Sequence, residues 1–281
     1  MSAPIAEARH AVHEHRTWVE VLARAGYATR GGLYLIVGGL AAMAAFGYGG
    51  EATDTQGALL ELYRQPFGTV LLSLTAVGLA GYAAFLVCRA ALDPEGEAQE
   101  KWGPAKRAWW AVIALLHVSL AASALALVLG SGAPHDHDEH ARGLTAELLA
   151  WSPLGPILVV AVGVALLSAA GHQLHCAWRA KLDECLDLSS VSRASRRWLV
   201  RLSRLGIAAR ACVALVTGAF FIVAAATSNP REAKGFADSL SALRAMPFGG
   251  WIFAAVALGL IAFGCYQLVE ARYRRVLGCA R

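Results

Sequence analysis

The chain has 281 residues, of which 57% are hydrophobic and only 16% charged, and its mean hydropathy is +0.49. It is too apolar for an ordinary soluble domain and too poor in charge for a disordered one. The charges are also unevenly placed, which excludes a soluble enzyme, a secreted disulfide scaffold and a nucleic-acid partner.

Six stretches carry no Asp, Glu, Lys or Arg: 31–50, 65–88, 108–135, 148–178, 211–230 and 245–269. A hydrocarbon core needs about 20 apolar helical residues per crossing, so each stretch holds one span. In chain order the spans are expected at 31–50 and 67–88, then 108–130 and 154–177, then 207–228 and 249–270. An N-terminal arm (1–21) precedes them and a basic linker (187–201) separates the second pair from the third. With six spans, 20 of the 25 Lys and Arg fall in the N-terminal arm, the second and fourth loops and the C-terminal tail. The excess of Lys and Arg on cytoplasmic loops places both termini in the cytoplasm. Segments 9–25 and 193–205 are basic and amphipathic, the pattern of juxtamembrane helices lying on an anionic surface. The six cysteines avoid the predicted outside loops and form no CxxC, so reduced thiols are expected.

The chain repeats itself three times. A cation, any residue, Gly, three residues and Arg precede the first span of each pair: Arg24 to Arg30 around Gly26, Lys101 to Arg107 around Gly103, Arg204 to Arg210 around Gly206. A second marker opens the partner span: Pro66-Phe67-Gly68, Pro153-Leu154-Gly155, Pro247-Phe248-Gly249. Proline suits a first helical turn, where its missing N–H would be unpaired anyway. The glycine lets a neighbour approach closely. The repeats are residues 22–96, 97–186 and 202–281. Each has two spans, so successive repeats enter the membrane in the same sense and relate by an axis along its normal. The fold expected is all-α, with six transmembrane helices as three parallel two-helix repeats around a pseudo-threefold axis. These markers and their triple recurrence resemble the bacterial membrane proteins called domain of unknown function 1206, over about residues 18–277. The resemblance implies a six-span protein of the bacterial inner membrane and carries no catalytic or ligand residues across.

Three equivalent arginines, Arg30, Arg107 and Arg210, are expected at one depth, reinforced by Arg24, Lys101 and Arg204. Guanidinium forks bind phosphate bidentately and stay charged, so a collar around anionic lipid headgroups is expected, with topology signalling as the competing role. The insertion in the second repeat carries His135, His137 and His140 among Asp136, Asp138 and Glu139. Imidazole and carboxylate suit Zn, Ni or Cu, while the flanking Gly and Pro suit a solvated loop; both readings stay open. His117, His172 and His175 are intramembrane or boundary polar groups. They suggest either a haem- or metal-linked site or, for His117, a neutral ring bonded to a hydroxyl such as Ser168. No resident cofactor is expected. Phosphate loops, His-Glu-x-x-His and nucleophile elbows do not occur, so the chain reads as non-enzymatic: structural or interacting with anionic membrane lipids, protein partners unknown. A passive pore or carrier for a small solute along the repeat axis, and a metal- or haem-linked membrane protein, are the alternatives.

Overall fold

The computed structural model describes residues 16–92, 103–131, 137–151, 154–179, 186–187, 189 and 191–274. Nine α-helices carry these residues, and no β-strand occurs among them. Six are long and apolar enough to cross a membrane: α1 (Arg16–Phe46), α3 (Gly68–Leu92), α4 (Gly103–Val128), α6 (Leu154–Arg179), α7 (Arg193–Ala226) and α9 (Gly249–Tyr273). The protein is a multi-pass membrane protein. Three short cap helices precede the second span of each repeat: α2 (Thr55–Arg64), α5 (His137–Leu149) and α8 (Phe236–Arg244). The end bearing the caps is the cap end; the opposite end, bearing Arg30, Arg107 and Arg210, is the arginine end.

Segment 193–205 is not a separate surface helix. It runs unbroken into the fifth span, and residues 16–30 likewise run into the first. Neither junction holds a proline, and Gly26 and Gly206 are helix-packing residues rather than breaks. A Cβ at Gly26 would collide with the Tyr82 side chain, and one at Gly206 with the backbone of Phe263. The marker glycine therefore sets how closely α1 lies on α3 and α7 on α9.

The second marker has an equally local cause. The chain turns sharply from cap into span, with Phe67 and Phe248 in the left-handed region (φ 61° and 60°). A Cβ at Gly68, Gly155 or Gly249 would collide with the carbonyl of Tyr63, Leu148 or Arg244 at the end of the preceding cap. Each cap also buries one small residue at the same register, Ala58, Thr145 or Ser239. The next residue is a fully buried leucine in α2 (Leu59) and α8 (Leu240), but an exposed alanine, Ala146, in α5. The second cap is accordingly held less by apolar burial. Arg142 of α5 forms an ion pair with Asp238 of α8.

The spans form a ring in the order α6, α7, α9, α1, α3, α4. The second span of each repeat packs on the first span of the next, and the third repeat closes back onto the first: α3 on α4, α6 on α7, α9 on α1. This cyclic rule is the pseudo-threefold relation of the three parallel repeats. Within a repeat, α1 packs on α3 and α7 on α9, but α4 and α6 make no more than marginal contact. The ring is open there, and α4 and α6 are the two least buried spans.

The opening has a cause in the sequence. Sixteen and nineteen residues after the marker proline stand Tyr82 and Phe85 in α3, and Phe263 and Tyr266 in α9. All four are buried, and they are the aromatic wedge between the two spans of their repeat. The equivalent residues of α6 are Ala169 and His172. Without the wedge, the area that would hold α4 to α6 is missing; an aromatic buries about 150–250 Å².

Candidate functional site

Arg30, Arg210, Tyr34, Gln173 and Gln267 come together at the arginine end of the bundle. Arg30 lies over the Tyr82 ring (4.8 Å to its centre), and its Nη1 donates to the Tyr82 hydroxyl at 2.6 Å. Arg210 stands in the same relation to the equivalent aromatic, 5.3 Å above the Phe263 ring. Cation–π contacts of this kind are worth about 0.5–2 kcal/mol, more as water is excluded.

The symmetry extends to an amide. Arg210 Nη1 donates to Gln173 Oε1 on α6 at 2.5 Å. Gln267 on α9, twenty residues after its own marker proline as Gln173 is after Pro153, serves Arg30. With its amide nitrogen donating to Glu270 Oε2 at 2.5 Å, its oxygen accepts from Arg30 Nη1 at 3.3 Å. Each arginine thus takes a glutamine from the second span of the preceding repeat. For Arg107 that position is Leu86, which offers no acceptor and is fully buried. Arg107 turns instead to the end of α3, donating from Nε to the Ala90 carbonyl (2.6 Å) and from Nη2 to that of Ala91 (2.9 Å). A cation there satisfies carbonyls that helix termini leave unpaired.

Tyr34 of α1 joins Arg30 and Arg210. Its hydroxyl accepts from Arg210 Nε at 3.1 Å and lies within electrostatic reach of Arg30. Its ring packs edge-on against Phe263, with centres 4.7 Å apart. The buried carboxylate of the cluster, Glu270, is already engaged: Oε1 pairs with Arg274 and Oε2 takes the Gln267 amide. Among the described residues no carboxylate forms an ion pair with Arg30 or Arg210. Their hydrogen-bond partners are neutral phenols and amides, and both side chains keep partial exposure.

His117 adjoins this cluster from α4. Its Nδ1 lies 2.7 Å from the Ile113 carbonyl, so that nitrogen carries the proton; its ring stands edge-on to Tyr82, with centres 4.8 Å apart. Its bonding partner is therefore the carbonyl one turn back, not Ser168. His172 and His175 are exposed on α6. Nε2 of His172 lies 3.5 Å from the Cys176 thiol, and α4 and α6 do not bring His117 to either histidine. Among the described residues no three His, Cys, Asp or Glu cluster as a metal site would require.

The remaining candidates are scattered. Arg24 Nη1 donates to the Arg272 carbonyl at 3.2 Å, and Arg204 is exposed. Lys101 and His135 lie outside the described residues. His137 and His140 fall in the first turn of α5, but their side chains lie outside what is described. An apolar groove of about 730 Å³ runs between α3 and α4 past Val87, Ala111 and Val118 to Arg107.

Sequence reasoning singled out the arginines but missed Tyr34, Tyr82, Gln173 and Gln267. The signal was present for the glutamines: polar residues at equivalent positions of two apolar spans, with Leu86 at the third. Arg30 and Arg210 turn to these partners, while Arg107 turns to the end of α3.

The comparisons with known proteins agree with the architecture. The model of the family described as Domain of Unknown Function (DUF1206) matches the chain three times, over residues 25–93, 110–180 and 205–274, one match per repeat. "Uncharacterized protein YxxB" of Bacillus subtilis (strain 168) is 32% identical over 263 residues, covering 94% of each chain. No solved structure matches. The threefold match and the full-length relative together show that the chain belongs to the DUF1206 family.

Proposed function

We propose that this is a non-enzymatic integral protein of the bacterial cytoplasmic membrane, with the arginine end and both termini in the cytoplasm, that binds an anionic ligand between Arg30 and Arg210. The observation that carries this reading is the charge balance of the arginine cluster. Two guanidiniums share the Tyr34 hydroxyl region, their bonding partners are neutral, and the neighbouring carboxylate is held by Arg274 and Gln267. Like charges in a medium of low dielectric repel strongly, and buried charges are normally paired. An oxyanion between the two forks would relieve both costs and use the bidentate geometry for which arginine is suited. The orientation rests on the distribution of Lys and Arg between loops.

Thermal unfolding in detergent tests this. Short-chain phosphatidylglycerol should raise the Tm of the parent protein, and short-chain phosphatidylcholine should not. An R30Q/R210Q variant should lose the difference between the two. An equal response of parent and variant to phosphatidylglycerol would refute the site.

A further inference from the structure

The ring around this arginine cluster has five packed helix pairs, and its sixth side is the weakly contacting pair α4 and α6. That side is flanked by His117 of α4 and by Gln173 of α6, the residue that holds Arg210. The outer surfaces of the same helices toward the arginine end are apolar, with Leu115 and Leu116 exposed on α4 and Val164 and Ala165 on α6. A small soluble anion gains nothing from a side of the bundle that faces hydrocarbon. An amphiphile with an anionic head does: its phosphate can reach the arginines while its chains stay among those side chains.

We infer that the ligand is an anionic phospholipid of the leaflet at the arginine end, entering sideways between α4 and α6 and placing its phosphate between Arg30 and Arg210. This rests on the reading of that pair as an anion site. The second repeat differs from the other two in the way such an entrance requires. The wedge residues Tyr82 and Phe85, and Phe263 and Tyr266, close their repeats; Ala169 and His172 leave theirs open. Attraction between basic residues and anionic lipid accumulates residue by residue near the surface. Two guanidiniums held by neutral partners supply it here.

The test restores the missing wedge. In A169F/H172Y, α6 carries aromatics at the positions where the other repeats do. Full-length protein in mild detergent is incubated with phosphatidylglycerol, and retained lipid is counted by native mass spectrometry. The chainless headgroup, glycerophosphoglycerol, is assayed separately by its effect on Tm. The inference predicts at least a tenfold loss of retained lipid in A169F/H172Y relative to the parent, with the headgroup effect on Tm unchanged. Undiminished lipid retention in A169F/H172Y, together with its loss in R30Q/R210Q, would overturn sideways entry and leave the anion site standing. Undiminished lipid and headgroup responses in R30Q/R210Q would overturn both. A169L, a smaller filling, guards against misfolding of the double variant. Eluting as the parent does on size exclusion, it should show an intermediate loss, and full retention by it would contradict the inference.

Discussion

Arg210 donates to Gln173 over 2.5 Å, across the interface between the third repeat and the second. Its counterpart, Arg30 with Gln267, crosses from the first repeat to the third. Two of the three repeat junctions are therefore clamped by the same pair of residue types, and the third, with Leu86, is not. Removing one glutamine should leave a partly buried guanidinium short of an acceptor. Q173L is expected to cost about 1–3 kcal/mol, and L86M, at the position with no polar partner to lose, about 1 kcal/mol or less. Thermal unfolding in detergent distinguishes them. Equal midpoints for Q173L and the parent would contradict the clamp.

The marker glycines make a second prediction. G206A places a methyl against the Phe263 backbone, and G26A places one against the Tyr82 side chain. Overpacking of this kind costs about 1–3 kcal/mol. G32A and G39A meet nothing within 4 Å and gain helix propensity, about 1 kcal/mol at most. The expected order of Tm is G32A at or above the parent, then G26A and G206A below it. Destabilisation by G32A as large as that by G206A would contradict the packing assigned to the markers.

These cases show what was legible in the sequence. The six spans followed from charge-free length, and the repeats from two short markers whose glycines have local steric causes; Pro66 and Pro247 stand in the turn ahead of the span, not in its first helical turn. The role of the arginines was less legible, because Arg at a span boundary has the same appearance whether it faces headgroups or a neighbouring helix. Gln173 and Gln267 decide it, and their meaning emerges only when the spans are set in a ring. The gap between α4 and α6 is written as an absence, Ala169 and His172 in an aromatic position, and absences are weak signals in one sequence. The continuity of α7 is not legible, because the basic face of 193–205 suits a surface helix as well as the end of a long span.

The histidines of the second repeat give a third prediction. If His135, His137 and His140 form a metal site, isothermal calorimetry should find micromolar Zn or Ni binding in the parent and none in H135A/H137A/H140A. No binding by the parent, or the same binding by the variant, would reduce the segment to a solvated insertion.

Orientation gives a fourth. With the arginine end in the cytoplasm, a single cysteine at position 137 on a Cys-less background should be labelled by an impermeant maleimide from outside intact cells. Labelling only after the cytoplasm is exposed would invert the topology.

The central claim is that Arg30 and Arg210 together hold an anion, whereas Arg107, occupied with the carbonyls of Ala90 and Ala91, does not. Native mass spectrometry of protein extracted from its membrane in mild detergent tests this most directly, comparing the parent with R30Q/R210Q and R107Q. The account predicts an anionic phospholipid retained by the parent and by R107Q, and at least a tenfold lower retained fraction in R30Q/R210Q. Equal retention by R30Q/R210Q and the parent, or loss in R107Q alone, would contradict it.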